Sequence, residues 1–211
     1  MNILVIGASQ GTGALTVRAA LAKGHRVTAF ARSPRKLALE NAQLERVAGD
    51  FHQAECVDSA VPGHDAVIVT ASASSLAAFK ANPHYFSQGT GYVVAAMKKA
   101  GVKRLVVLSA LGVGESLPLL NPIVRAVAVG WVLKVPFEDH DRQEKLVCAS
   151  GLDWVIARPG RLTNGAAHRN YVKKTAIEKV PGSISRADVA DFLVEACDGE
   201  AWVGHAVQLG G

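Results

Sequence analysis

Asn2-Ile3-Leu4-Val5-Ile6-Gly7-Ala8-Ser9-Gln10-Gly11-Thr12-Gly13-Ala14-Leu15 is the stretch on which the reading of this chain turns. Residues 3–6 are all β-branched or leucine, the continuous apolar run of a parallel strand buried on both faces. Leu15, Ala19, Ala20 and Ala22 then recur near helical spacing and are expected to form the apolar face of a helix. Between the two lie Gly7, which suits a tight turn off the strand, Gly11, which lacks the Cβ that would obstruct a pyrophosphate, and Gly13, which allows close helix-on-sheet packing. The N–H groups and positive dipole end of the helix then face an anion. The spacing Gly-x3-Gly-x-Gly departs from the common Gly-x-Gly-x-x-Gly, but a strand before it and a helix after it make it a dinucleotide cradle. Gly7, Ser9, Gln10, Gly11, Thr12 and Gly13 are the expected contacts of the cofactor phosphates.

The second strand runs through His25-Arg26-Val27-Thr28-Ala29-Phe30-Ala31 and ends in Arg32-Ser33, beside the expected adenosine ribose. An acidic residue there would hold the ribose hydroxyls of NAD. Arg32 and Ser33 instead offer a planar guanidinium and a hydroxyl to a 2′-phosphate, so NADP(H) is the expected cofactor. Arg35 and Lys36 read as solvated charges at a helix start. Asp50, which follows the third strand, has two open roles: lying beside the adenine or capping the next helix.

Further along, residues 65–70, 103–109, 154–158 and 205–209 read as strands. Residues 91–100, closed by Gly101, residues 139–149, closed by Ser150-Gly151, and a late segment from Ser185 to Cys197 read as helices. Ser185 with Asp188 three residues on has the form of a capping box. This alternation predicts an α/β chain: a Rossmann fold, a doubly wound parallel sheet flanked by helices, with a small C-terminal elaboration. The 211 residues are expected to form one NAD(P)-binding domain, with a cofactor half over about residues 1–110 and acceptor-side elements over about 111–211. The cleft should open at the carboxyl ends of the strands, adding Thr70, Ala71 and Ser109 to the cofactor contacts.

The net charge of +5 is modest and the basic residues are scattered, which argues against nucleic acid as a partner. Cys56, Cys148 and Cys197 are far apart and read as small apolar fillers in a reducing compartment. Residues 117–135 are strongly apolar but broken by Pro118, Asn121, Pro122, Arg125, Gly130 and Lys134, so they fit a cover over the cleft or a subunit contact better than a membrane span. The apolar start runs straight into the glycine loop without a cleavage site, and a cytoplasmic monomer or weak homodimer is expected. No histidine has metal-ligand spacing. His140, beside Asp139 and Asp141, is expected at a solvated helix start, and Trp131 and Phe137 are expected in core packing.

Several motifs together resemble the atypical short-chain dehydrogenase/reductases, which include NmrA-like proteins and the flavin reductase also called biliverdin-IXβ reductase. They are the glycine loop, Phe30-Ala31-Arg32-Ser33, Gly49-Asp50, residues 93–104, Ser109-Ala110, Ser150-Gly151-Leu152-Asp153-Trp154, Arg158-Pro159-Gly160 and Ser185-Arg186-Ala187-Asp188-Val189-Ala190. The resemblance spans nearly the whole chain and implies an NAD(P)-binding Rossmann fold. It also implies that Ser109 sits near the nicotinamide as the candidate catalytic residue, and that Arg161 replaces a histidine of the flavin reductase and binds the acceptor. The tyrosine-dependent members use Tyr-x-x-x-Lys, whereas the residues four beyond Tyr85, Tyr92 and Tyr171 are Gly89, Ala96 and Thr175. Lys145 falls where that lysine is expected, with Asp141 in the tyrosine position, so ordinary ketone reduction lacks its proton donor. Hydride transfer to a flavin or a similar flat, conjugated small molecule survives that loss, with FMN or FAD as substrate rather than prosthetic group. The other reading from the same resemblance is an NmrA-like NADP(H) sensor without turnover.

Overall fold

The computed structural model describes residues 1–72, 79, 81–126 and 133–211. Its centre is an eight-stranded sheet ordered β3-β2-β1-β4-β5-β6-β10-β8. The strands are β1 (Asn2–Ile6), β2 (Arg26–Ala31), β3 (Leu44–Ala48), β4 (Ala66–Val69), β5 (Arg104–Leu108), β6 (Asp153–Pro159), β8 (Val172–Lys174) and β10 (His205–Gly210). All pair in parallel except β8, which runs antiparallel to β10. Two three-residue strands, β7 (Arg161–Thr163) and β9 (Ser183–Ser185), form a small second sheet. The helices are α1 (Gly11–Ala22), α2 (Ala54–Ala60), α3 (Tyr85–Ala100), α4 (Lys134–Cys148) and α5 (Arg186–Asp198).

Alternation along the strands builds two cores. Ile3 and Val5 face one way, into a cluster with Val17 and Ala20 of α1 and Phe192 and Leu193 of α5. Leu4 and Ile6 face the other way, into a cluster with Val57 of α2, Val93 and Met97 of α3 and Val147 of α4. A strand apolar on both faces therefore carries helices on both, as the unbroken run of residues 3–6 requires. The chain winds from β1 outward to β3, then returns to β4 on the other side of β1. The carboxyl ends of β1 and β4 thus flank the crevice where such sheets bind ligands.

The helix after β1 turns a different face inward from the expected one. Thr12, Gly13, Thr16, Val17, Ala20 and Leu21 are buried, Leu15 and Ala19 only half-buried, and Ala22 exposed. Contact at Gly13 fixes this rotation, because positions 13, 16, 17 and 20 share one stripe of a helix. Thr16 is accommodated there because its hydroxyl donates to the Thr12 carbonyl at 2.9 Å. α3 starts six residues earlier than Gly91, and α4 starts at Lys134 rather than Asp139, with Pro136 in a first turn where its missing N–H costs no helical bond. α5 starts as expected: the Ser185 hydroxyl accepts from the Asp188 N–H at 2.9 Å and donates to its carboxylate at 2.6 Å. Of the cysteines only Cys197 is buried filler; Cys56 is half-buried and Cys148, the last residue of α4, is exposed. Within residues 117–135, Gly114–Leu119 ends as a 3-10 turn and Pro122–Val124 forms one helical turn, while Trp131 lies outside the described residues. Among the described residues no helix is long and apolar enough to cross a membrane.

Candidate cofactor and acceptor site

The turn between β1 and α1 leaves no space for side chains at two of its glycines. A Cβ on Gly7, whose φ is +86°, would stand 2.7 Å from the Ala71 backbone. A Cβ on Gly13 would run into the Gly7 carbonyl and come within 2.6 Å of the Thr70 hydroxyl. Gly11, at φ +56°, faces open space. Helix α1 therefore abuts the strand ends, while its first-turn N–H groups have no intrahelical acceptor, no acidic residue in the same turn and, among the described residues, no capping side chain. That vacancy of charge and bulk at a helix N-terminus fits a dinucleotide pyrophosphate. Ser9 is half-buried and Gln10 and Gly11 are exposed at this surface, whereas Thr12 is buried.

Thr70 and Ala71 follow β4 directly behind the loop. The Thr70 hydroxyl is directed away from a ligand: it donates to the Ile6 carbonyl at 2.8 Å and makes the floor of the cradle. Arg32 and Ser33 leave β2 exposed, and neither has a hydrogen bond or ion pair from its side chain among the described residues. Asp50 does not cap α2. It closes a local turn by accepting the His52 N–H at 2.9 Å, and its carboxylate lies 3.3 Å from the His52 ring. The His52 ring in turn reaches the Tyr85 carbonyl at 2.9 Å and packs on the Tyr85 ring, their centres 4.4 Å apart. Burial pushes the Tyr85 phenol upward, Arg32 pulls it down and Asp50 pushes it up, so both charges lie near the phenol.

At the other end, Ser109 follows β5 and is tied to β6 by its N–H on the Ala157 carbonyl at 2.8 Å. Its hydroxyl donates to Glu144 Oε1 of α4 at 2.5 Å. Arg158 of β6 grips the same carboxylate, Nε to Oε1 at 3.0 Å and Nη2 to Oε2 at 2.5 Å. Glu115 meets the outer side of Arg158 at 2.7 and 3.2 Å. Ser109, Glu144 and Arg158 are 5, 4 and 3 % exposed, which makes this a buried polar network. Burial alone would lower the Arg158 pKa, but the two carboxylates reverse it and hold the guanidinium charged; Arg158 in turn holds the Glu115 carboxyl below its usual range. Glu144 and Glu115 were not among the expected site residues. The signal was Arg158 itself, a cation inside the apolar run Val155-Ile156-Ala157, which needs a buried anion.

Arg161, just past the carboxyl end of β6, is exposed with no side-chain partner among the described residues. Asp141 and Lys145 of α4 pair with each other at 2.6 Å, the lysine side chain 75 % exposed and the aspartate half-buried. His140 is not solvated: its ring stacks on Phe86 with centres 3.8 Å apart, and Nδ1 meets Gln143 Oε1 at 2.8 Å. Burial lowers its pKa to about 4, against the opposing pulls of Gln143 and Asp139. Phe137 is half-buried. Two surface hollows of about 470 and 500 Å³ share Thr28, Glu45, Pro62 and His64, and so lie along β2 and β3 away from this cleft.

A family profile described as NAD(P)H-binding matches residues 7–200. The uncharacterised sugar epimerase YhfK of Bacillus subtilis is 28% identical over 178 residues, which cover 82% of this chain and 77% of that protein. Among solved structures, ChuY of Escherichia coli, described as an anaerobilin reductase, superposes with a TM-score of 0.81 at 27% identity, covering 100% of this chain and 97% of its own. A short-chain dehydrogenase/reductase of Veillonella parvula in complex with NADP has the same fold, with a TM-score of 0.82 at 15% identity, over 100% of this chain and 94% of that one. From the cradle, the winding of the sheet and the profile that spans residues 7–200, the chain belongs to the NAD(P)H-binding family and has the Rossmann fold of its oxidoreductase-type members.

Proposed function

We propose that the protein is an NADPH-dependent reductase that passes hydride to a flavin such as FMN, or to a similarly flat, conjugated small molecule. The observation that carries this reading is the Asp141–Lys145 ion pair at 2.6 Å, which by the resemblance stands in the place of a tyrosine–lysine dyad. A ketone would need a proton donor at that place, whereas a conjugated ring disperses the incoming charge and takes its proton from water. The likeness to ChuY, described as a reductase, supports an acceptor of this kind.

The nicotinamide supplies the hydride, and the protein's part is binding and orientation. The first turn of α1 holds the pyrophosphate, with Gly11 leaving it room. Arg32, whose guanidinium makes no hydrogen bond or ion pair among the described residues, and Ser33 take the 2′-phosphate, which is the basis for NADPH over NADH. Asp50 and Tyr85 border the adenosine, Ser109 borders the nicotinamide, and the Arg161 cation meets an anionic group of the acceptor.

The test is anaerobic mixing of the protein with NADPH and FMN. Loss of the oxidised flavin band in step with NADPH oxidation, at a rate proportional to protein, is the expected result. Tight NADPH binding with no flavin reduction would replace this reading with that of an NADP(H) sensor.

A further inference from the structure

We infer that Glu144, held by Arg158, fixes Ser109 as a hydrogen-bond acceptor toward the cleft, so that the ligand group recognised there is an N–H donor. A serine hydroxyl has one proton and two lone pairs. The proton is committed to Glu144 Oε1 at 2.5 Å, and both oxygens of that carboxylate also face Arg158 N–H groups, which only donate. Glu144 is thus oriented by two guanidinium contacts, and Glu115 closes the far side of Arg158 at 2.7 Å. No described group donates to the Ser109 oxygen. What remains for a ligand is a pair of lone pairs at the carboxyl end of β5. Ser109 therefore does not polarise a carbonyl, which needs a donor, but selects a carboxamide or ring N–H. Glu144 is a positioning residue in this scheme, acting through Ser109.

This rests on the dinucleotide occupying the carboxyl-end cleft. Two N–H sources share the chemistry, the nicotinamide carboxamide and a ring N–H of the acceptor. They are separated by binding NADP⁺ and its 3-acetylpyridine analogue, in which a methyl replaces the amide NH2. If the carboxamide is the donor, the protein binds NADP⁺ about 3- to 10-fold more tightly than the analogue, the scale of one neutral hydrogen bond. Ser109→Ala should bring that ratio below about 2, again on the scale of a lost bond. If the ratio is already near one, the ring N–H is the donor, and the same preference should appear in KM for FMN over an N3-methylated flavin and vanish in Ser109→Ala.

Replacing the ion pair by Glu144→Met with Arg158→Met keeps the volume apolar and frees the Ser109 hydroxyl to rotate. That protein should still bind NADP⁺ but discriminate less than wild type, while restoring Glu144 and Arg158 restores the ratio. Absence of discrimination in both ligand pairs, or an undiminished ratio in Ser109→Ala or in the double variant, overturns the inference while leaving the reductase reading intact. Should the double variant fail to fold, the Ser109→Ala ratio alone decides. Failure of the folded wild-type protein to bind either dinucleotide would overturn the cofactor reading itself, and this inference with it.

Discussion

Arg32 and His140 are two residues at which single side chains make separate predictions. Arg32 stands exposed just past β2 with no side-chain hydrogen bond or ion pair among the described residues, so its replacement should affect a ligand more than the fold. Arg32→Asp is expected to weaken NADPH binding by about 1.5–3 kcal/mol, the scale of a charge-assisted bond, and to leave NADH within a few tenths. Calorimetric titration with both coenzymes checks this, and equal losses would remove Arg32 from the 2′-phosphate site. His140 is half-buried against Phe86 and held neutral by desolvation, with its pKa near 4 against 6.5 for a free side chain. The unfolded chain therefore binds the extra proton first. Stability that is complete above about pH 6.5 should fall as the pH drops toward 4, by about 2 kcal/mol after allowance for the ring's partial exposure. His140→Gln should flatten that part of the curve in urea unfolding at a series of pH values, even if it costs stability throughout.

Among the elements, α3 and α4 depend on each other in a way that no local pattern announces. Asp139 of α4 is fully buried and caps α3 from across the helix pair. Its carboxylate accepts the Phe86 N–H at 2.6 Å and the Ser87 hydroxyl at 2.5 Å. This explains why α3 extends back to Tyr85, although the nearby residues contain neither an N-cap contact nor an acidic first turn. Asp139→Ala should lower the unfolding free energy by about 2–3 kcal/mol, since a cap is lost and buried donors are left unpaired. Asp139→Asn should retain part of it, and chemical denaturation of the pair would show the order. The glycine loop, by contrast, was legible because strand, turn and helix N-terminus are consecutive in the chain. The rotation of α1 was not, because it is set by contact of Gly13 with a strand carbonyl rather than by the tally of apolar residues. Glu144 was missed for a similar reason: in Gln143-Glu144-Lys145 it reads as part of a solvated face, and only packing against β6 brings Arg158 to it.

Across the whole molecule, the sheet order and its switch between β1 and β4 place Gly7, Arg32, Thr70 and Ser109 along one edge. Continuous apolar strands alternating with helices made that arrangement readable from sequence. The strands β7, β8 and β9 were not readable, since three residues are too few to show a period and their pairing comes from distant chain segments. On the proposed function they bear on the acceptor, because β7 begins at Arg161 and is paired to β9 just before α5. The glycine loop is thus encoded locally, while the short strands after β6 are assembled by long-range pairing and are correspondingly harder to read. On the proposed function, NADPH bound through α1 and Arg32 reduces a conjugated acceptor beside Ser109. The most direct test is steady-state kcat/KM with FMN as acceptor, measured in parallel for NADPH and NADH. Turnover is expected, with NADPH favoured by about 10-fold or more, in keeping with one charge-assisted contact. Equal use of the two coenzymes, a preference for NADH, or no turnover with either would contradict it.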